Sequence, residues 1–168
     1  MRFATAILLV ATLAACDRQT SQEKAHEDER AIAMVEKAQR RIPPPVALNP
    51  AQISFADVQA SGLVGAGCAF TPKSGEGRDP VLYTDDRRAL LKLDGRLVQL
   101  AADSGSAEMP YATRDHYVGK AFDLRLRQDP GEGEPASEES MRWSGALTIR
   151  DSYKREVYSE PGILECGA

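Results

Sequence analysis

The stretch "ALLKLDGRLVQLA" (residues 89–101) constrains the fold more than any other in the chain. Asp94-Gly95 is a favoured pair for a two-residue type I′ turn, because both central positions need a positive φ. Such a turn sets Leu93 opposite Arg96, Leu91 opposite Val98 and Ala89 opposite Leu100. Directly opposed residues share a face of the sheet. One face then carries Ala89, Leu91, Leu93, Val98 and Leu100, and the other carries Lys92 and Gln99. Turn chemistry and hydrophobic period thus agree on one register, and a slip by one residue would invert every side chain.

The same period of two recurs downstream. "AFDLRLRQ" places Phe122, Leu124 and Leu126 inward and Asp123, Arg125 and Arg127 outward. "RWSGALTIR" sets Trp143, Leu147 and Ile149 on one face, and a turn follows near Asp151–Lys154. "REVYS" and "GILEC" read as two further strands, the second holding Leu164 and Cys166 on one side. Upstream, a short helical turn is expected near Phe55–Ala60, then a strand around Cys68–Phe70. One solvated and one buried face per strand is the mark of antiparallel sheets. The spacing predicts a mainly β fold of seven or eight strands between residues 66 and 166, a small antiparallel barrel or sandwich. "QDPGEGEPASEES" (128–140) has no apolar period and five acidic residues, and reads as a long mobile loop.

At the other end of the chain, Arg2 precedes an apolar block of about a dozen residues from Phe3 to Leu13. The block is shorter than the roughly 20 residues a membrane-spanning helix needs, and it has the proportions of a secretory signal. It ends in "LAAC", which resembles the lipobox of bacterial lipoproteins. The resemblance implies a signal peptide over 1–15 and lipidation of Cys16, with palmitate among its acyl chains. It also implies a periplasm-facing place in the cell envelope. Asp17 resembles an inner-membrane retention signal of enteric bacteria. Loss of Arg2 with the signal takes the net charge from −4 to −5, which offers no footprint for nucleic acid.

The chain has three cysteines, and assigning Cys16 to lipid leaves Cys68 and Cys166. In an oxidising compartment such a pair is expected to bridge; the alternative is two separate buried thiols. Residues 16–50 read as a lipidated tether: a helix from about Glu23 to Arg40, then the spacer "IPPPVALNP", whose prolines end it. Residues 51–168 are the globular domain.

No catalytic constellation is visible. Of the two histidines, His26 lies in the tether and His116 beside Tyr117, and no His pair offers a metal site. Neither a nucleophile elbow nor a phosphate loop is present. No catalytic residue, cofactor or metal is expected. "CAF … LKLDGRLVQLAADSGSAEMPY … RWSGAL … LEC" resembles the membrane-bound inhibitors of C-type lysozyme. That resemblance implies a small periplasmic β-barrel lipoprotein whose serine loop enters the lysozyme cleft. Ser104 matches the serine, and Ser104, Gly105 and Tyr111 become candidate partner-binding residues. Tyr111 falls seven residues after Ser104, further than in that family, and no lysine follows Trp143 in the manner of that family. The expected function is a non-enzymatic binding, inhibitory or assembly module, its partner a protein or a cell-wall component. The lysozyme-inhibitor-like protein is one alternative, and an envelope hydrolase using His116 as base is another.

Overall fold

A computed structural model describes residues 20–39, 42–63, 65–74 and 79–168. The chain divides into two compact units between Pro43 and Pro44. The first contains helix α1, Ser21–Gln39. Thr20 caps it: the Glu23 amide donates to Thr20 Oγ1, and Glu23 Oε2 accepts from the Thr20 amide at 2.9 Å. This reciprocal pair starts the helix two residues before the predicted Glu23. None of its residues is buried, and Ile32, Met34 and Val35 are all exposed. The predicted end at Arg40 lies outside the described residues.

The second unit, Pro44–Ala168, begins seven residues before the boundary drawn from composition. Backbone contacts explain the difference. The Leu48 amide donates to the Val157 carbonyl, Ala51 bridges to Lys92, and Pro50 is buried. Helix α2 (Phe55–Ser61) follows, with a Ser54/Asp57 capping box at its start and left-handed Gly62 at its end. The strands are β1 (Gly67–Pro72), β2 (Leu82–Thr84), β3 (Arg88–Leu93), β4 (Arg96–Ala102), β5 (His116–Val118), β6 (Phe122–Gln128), β7 (Glu134–Pro135), β8 (Ser140–Asp151) and β9 (Glu156–Gly167). The sheet order is β6-β5-β4-β3-β2-β1-β9-β8-β7, and β6 also pairs β8. That last pairing closes β1–β6, β8 and β9 into an eight-stranded antiparallel barrel, with β7 attached outside the ring. The predicted barrel is therefore present, and the sandwich is not.

The hairpin has the predicted register: Leu93↔Arg96, Leu91↔Val98 and Ala89↔Leu100. Inward residues from all eight strands fill the interior, including Phe70, Leu82, Leu91, Leu100, Tyr117, Leu124, Leu147, Ile149 and Leu164. Small closed barrels fill their interiors with side chains in this way. Tyr117 is fully buried and its hydroxyl has two partners: it donates to the Asp85 carbonyl at 2.8 Å and accepts from the Arg114 amide at 2.9 Å.

Three expectations are corrected. "REVYS" and "GILEC" are not separate strands, because β9 runs continuously through Pro161. The Pro161 carbonyl accepts from Lys73, just past the end of β1, so the missing N–H falls where that partner strand has stopped. Residues 128–140 are a folded connection rather than a loose loop. β7 pairs β8 there, and turns at Ala136 and Ser137 donate to the Ser140 carbonyl. Asp123 faces outward as predicted yet is buried, because His116 and Lys154 lie over it.

A second, smaller core lies outside the barrel. Leu90 points outward but is fully buried, covered by Ile53 and Leu63, with Val58, Tyr83 and Leu97 packed around them. Helix α2 is pinned over this patch by Asp57, whose Oδ2 lies 2.8 Å from Lys92 Nζ and accepts from the Ser54 amide at 2.9 Å. The Lys92 hydrogen bond, then those from Ser54, hold the Asp57 carboxyl down to about 2. A depressed carboxylate stabilises the fold above its unfolded pKa, and that contribution disappears as pH falls through the folded value. Amide protection in α2 should therefore weaken between about pH 4 and pH 2, ahead of the barrel strands. In Lys92→Met the weakening should begin at higher pH. Identical acid profiles in the two proteins would contradict this account.

Candidate functional site

The strands β1, β3, β5 and β8 begin, and β2, β4, β6 and β9 end, at one rim of the barrel. Here Cys68 and Cys166 sit directly opposite each other in the β1–β9 ladder and are joined by a disulfide, their Cα atoms 4.0 Å apart. The bridge ties the first barrel strand to the last, and both residues are buried.

The connection from β4 to β5 covers this rim. It starts with a side-chain turn: Asp103 Oδ1 accepts from the Gly105 amide at 3.0 Å, and the Asp103 carbonyl accepts from the Ser106 amide and hydroxyl. Ser104 and Gly105 are its exposed tip. The arms then zip together, Ala107 against Asp115 and Met109 against Thr113. The apex is a 3-10 turn, Pro110–Ala112, in which Tyr111 and Ala112 take left-handed φ values of 55° and 59°. Two consecutive non-glycine residues in that region are costly and persist only where neighbours hold them. The holding contacts are Thr113 Oγ1 to the Pro110 carbonyl at 2.9 Å and the Tyr111 hydroxyl to the Glu139 carbonyl at 3.1 Å. Met109 and Tyr111 pack on the barrel core, and Thr113 Oγ1 lies 3.3 Å from Cys68 Sγ. The structure thus puts Ser104 and Gly105 on an exposed tip, and Tyr111 in the cover over the disulfide.

His116 stands on the outer wall in a row with Asp103, Asp123 and Lys154. Its Nδ1 is 2.9 Å from Asp103 Oδ2 and its Nε2 is 3.5 Å from Asp123 Oδ1. Asp123 Oδ2 is in turn 2.6 Å from Lys154 Nζ. The His116 hydrogen bond, followed by that from Gly105, holds the Asp103 carboxyl below its ordinary value. Both ring nitrogens face carboxylates. A general base for a Ser or Cys nucleophile needs one nitrogen free to reach it. Nothing in the sequence signals the Asp123–Lys154 contact, which joins positions 31 apart.

The acidic connection 129–139 is organised by Trp143, whose Nε1 donates to the Gly131 carbonyl at 3.3 Å. A Cβ at Gly133, where φ is +79°, would lie 2.5 Å from the indole, so glycine permits this close approach. Asp129, Glu134, Arg142, Ser144 and Ile163 border a shallow pocket of about 440 Å³ beside the ring. Among the described residues no cluster of three His, Cys, Asp or Glu side chains is placed to hold a metal. No helix among them is long and apolar enough to cross a membrane. Cys16 lies outside the described residues.

No curated protein and no solved structure matches the chain. A family model does match, over residues 11–145. The span runs from the end of the apolar block through Cys16, α1 and the barrel strands into β8. It takes in well over half of the sequence, and the chain therefore belongs to the family described as "Domain of unknown function (DUF6692)".

Proposed function

We propose that this chain is a lipid-anchored, non-enzymatic binding module of a bacterial cell envelope, acylated at Cys16 and facing the periplasm. The observation that carries the reading is the Cys68–Cys166 bridge. Structural disulfides belong to oxidising compartments. The bridge also leaves Cys16 as the remaining cysteine, at the end of a signal-like apolar block. The domain plan is a signal over 1–15, a tether over 16–43 containing α1, and the barrel unit from Pro44 onward as the working part. The barrel interior is filled by its own side chains, so partner contacts fall on its outer wall and rims. The engagement of both His116 nitrogens by carboxylates supports binding over hydrolysis.

The test is fractionation of cells producing the full-length chain and Cys16→Ser. The parent is expected in the membrane fraction, and the variant unprocessed or soluble, because two or more acyl chains anchor durably. Equal membrane association and processing of both would refute the anchor.

A second reading is an inhibitor of C-type lysozyme. It is favoured by the combination of an eight-stranded barrel, a disulfide and the exposed Ser104-Gly105 tip at one rim. Slowed cell-wall lysis by the enzyme in the presence of the purified protein would separate it from other binding roles.

A further inference from the structure

The barrel ring is incomplete along one strand. β4 has seven residues, but it pairs β5 only through Ala101↔Val118 and Ala102↔Tyr117. In a two-residue hairpin the residues flanking the turn exchange hydrogen bonds, and such pairs then alternate along the ladder. Arg96, Val98 and Leu100 therefore direct their backbone groups to β3. Leu97, Gln99, Ala101 and Asp103 direct theirs the other way. Two contacts agree with this parity: the Ala102 amide donates to Arg87 on the β3 side, and the Asp103 amide to His116 on the β5 side. Among the described residues no strand lies opposite Leu97 and Gln99. After Val118 the chain turns back, the Gly119 amide donating to the Phe122 carbonyl, and Gly119 abuts Leu100. The amide and carbonyl groups of Leu97 and Gln99 thus form a short open edge. Val98 and Phe122, only partly buried, are the apolar floor beside it. A groove of about 420 Å³, lined by Arg87, Arg88, Gln99, Leu100 and Ala101, lies along the same strand.

An open edge of this kind is completed by one chemistry, the backbone of another extended chain. The charge around it selects among such chains. Arg96 and Lys120 are exposed at one end, where the acid is the turn residue Asp94, and Arg87 is exposed at the other, 3.6 Å from Asp86, so the cations outnumber the acids beside the edge. A second copy would bring the same cations, so self-pairing is disfavoured. We propose that the open edge of β4 at Leu97–Gln99 receives an extended segment of a partner protein with acidic side chains, by strand addition. The proposal rests on the reading of a binding module and names its docking surface.

The experiment is residue-resolved amide hydrogen exchange on the purified full chain. The probe is a capped hexapeptide of alternating Val and Glu, compared with one of alternating Val and Lys. Without peptide, the Leu97 and Gln99 amides should exchange ~100-fold faster than those of Val98 and Leu100, which sit inside the ladder. The Val/Glu probe should slow Leu97 and Gln99 about tenfold, and the Val/Lys probe should have less effect. Gln99→Pro removes only an edge donor, which edge positions tolerate, and should abolish the response while Val98 and Leu100 stay protected. Should that variant fail to fold, Arg87→Glu with Arg96→Glu, both on exposed side chains, should reverse the preference between the two probes. Protection of Leu97 and Gln99 in the free chain would overturn the proposal, as would their indifference to the Val/Glu probe. Protection that rises with protein concentration alone would assign the edge to a second copy instead. Because Cys16 fractionation reads the anchor and the peptide titration reads the edge, either can fail without the other.

Discussion

Cys68→Ala and Cys166→Ala should each lower the stability of the barrel by ~4–5 kcal/mol, and by nearly equal amounts. The bridge spans 98 residues of sequence, which encloses nearly all of the barrel. Its main effect is on the unfolded chain: without it the closure of that long loop has to be made good on folding. The position adds to this. β1 and β9 are neighbours in the ring but lie at opposite ends of the barrel sequence, so their pairing is among the most non-local contacts in the protein. Alanine is preferred to serine here, since a new hydroxyl at a site this buried would add a desolvation cost of its own. The measurement is the urea midpoint of the parent, of each variant, and of the parent under reductant. Unequal losses in the two variants would mean that packing around one cysteine, not the cross-link, is responsible. No loss in either would refute the structural role of the bridge.

Gly162→Ala should cost ~3 kcal/mol, at the upper end of what overpacking usually costs. Gly162 in β9 faces Gly145 in β8, and both are buried. The absence of side chains at this pair leaves room for the ring of Phe70. A Cβ at Gly162 would lie 2.5 Å from Phe70 Cζ and would also overlap the Thr71 carbonyl oxygen. The ring is 1% exposed and has little freedom to move away, and the carbonyl belongs to the β1 segment that pairs β9. Both ways of relieving the clash therefore disturb the same seam that the disulfide ties. Gly105→Ala is the control. Its Cβ would meet only Asp103 Oδ1, at 3.4 Å, and its cost should stay within about 0.5 kcal/mol. Equal urea midpoints for Gly162→Ala and the parent would show that the seam can open without penalty.

What the sequence determined by itself was local. The register of the β3–β4 hairpin follows from Asp94-Gly95 and the apolar alternation on either side of it, because turn type and side-chain period both act within a few residues. Cysteine counting and an apolar block of signal length led to the Cys68–Cys166 pair, since compartment and parity limit the choices. The strand faces of β6 and β8 were legible for the same reason as the hairpin. Tertiary structure alone decided what each outward face meets. Leu90 reads as a solvent-facing residue until α2 and Ile53 cover it. His116 reads as a lone base until Asp103 and Asp123 engage its two nitrogens. The acidic stretch 129–139 reads as structureless because its order comes from Trp143, outside the stretch itself. Barrel rather than sandwich was decided by the β6–β8 ladder of seven pairs and by β1–β9, contacts between strands whose individual patterns suit either architecture. The open edge of β4 was settled in the same way. Its own alternation is complete, and only the early turn of its neighbour at Gly119 leaves the backbone groups of Leu97 and Gln99 without a strand partner, because pairing is a property of two strands and not of one.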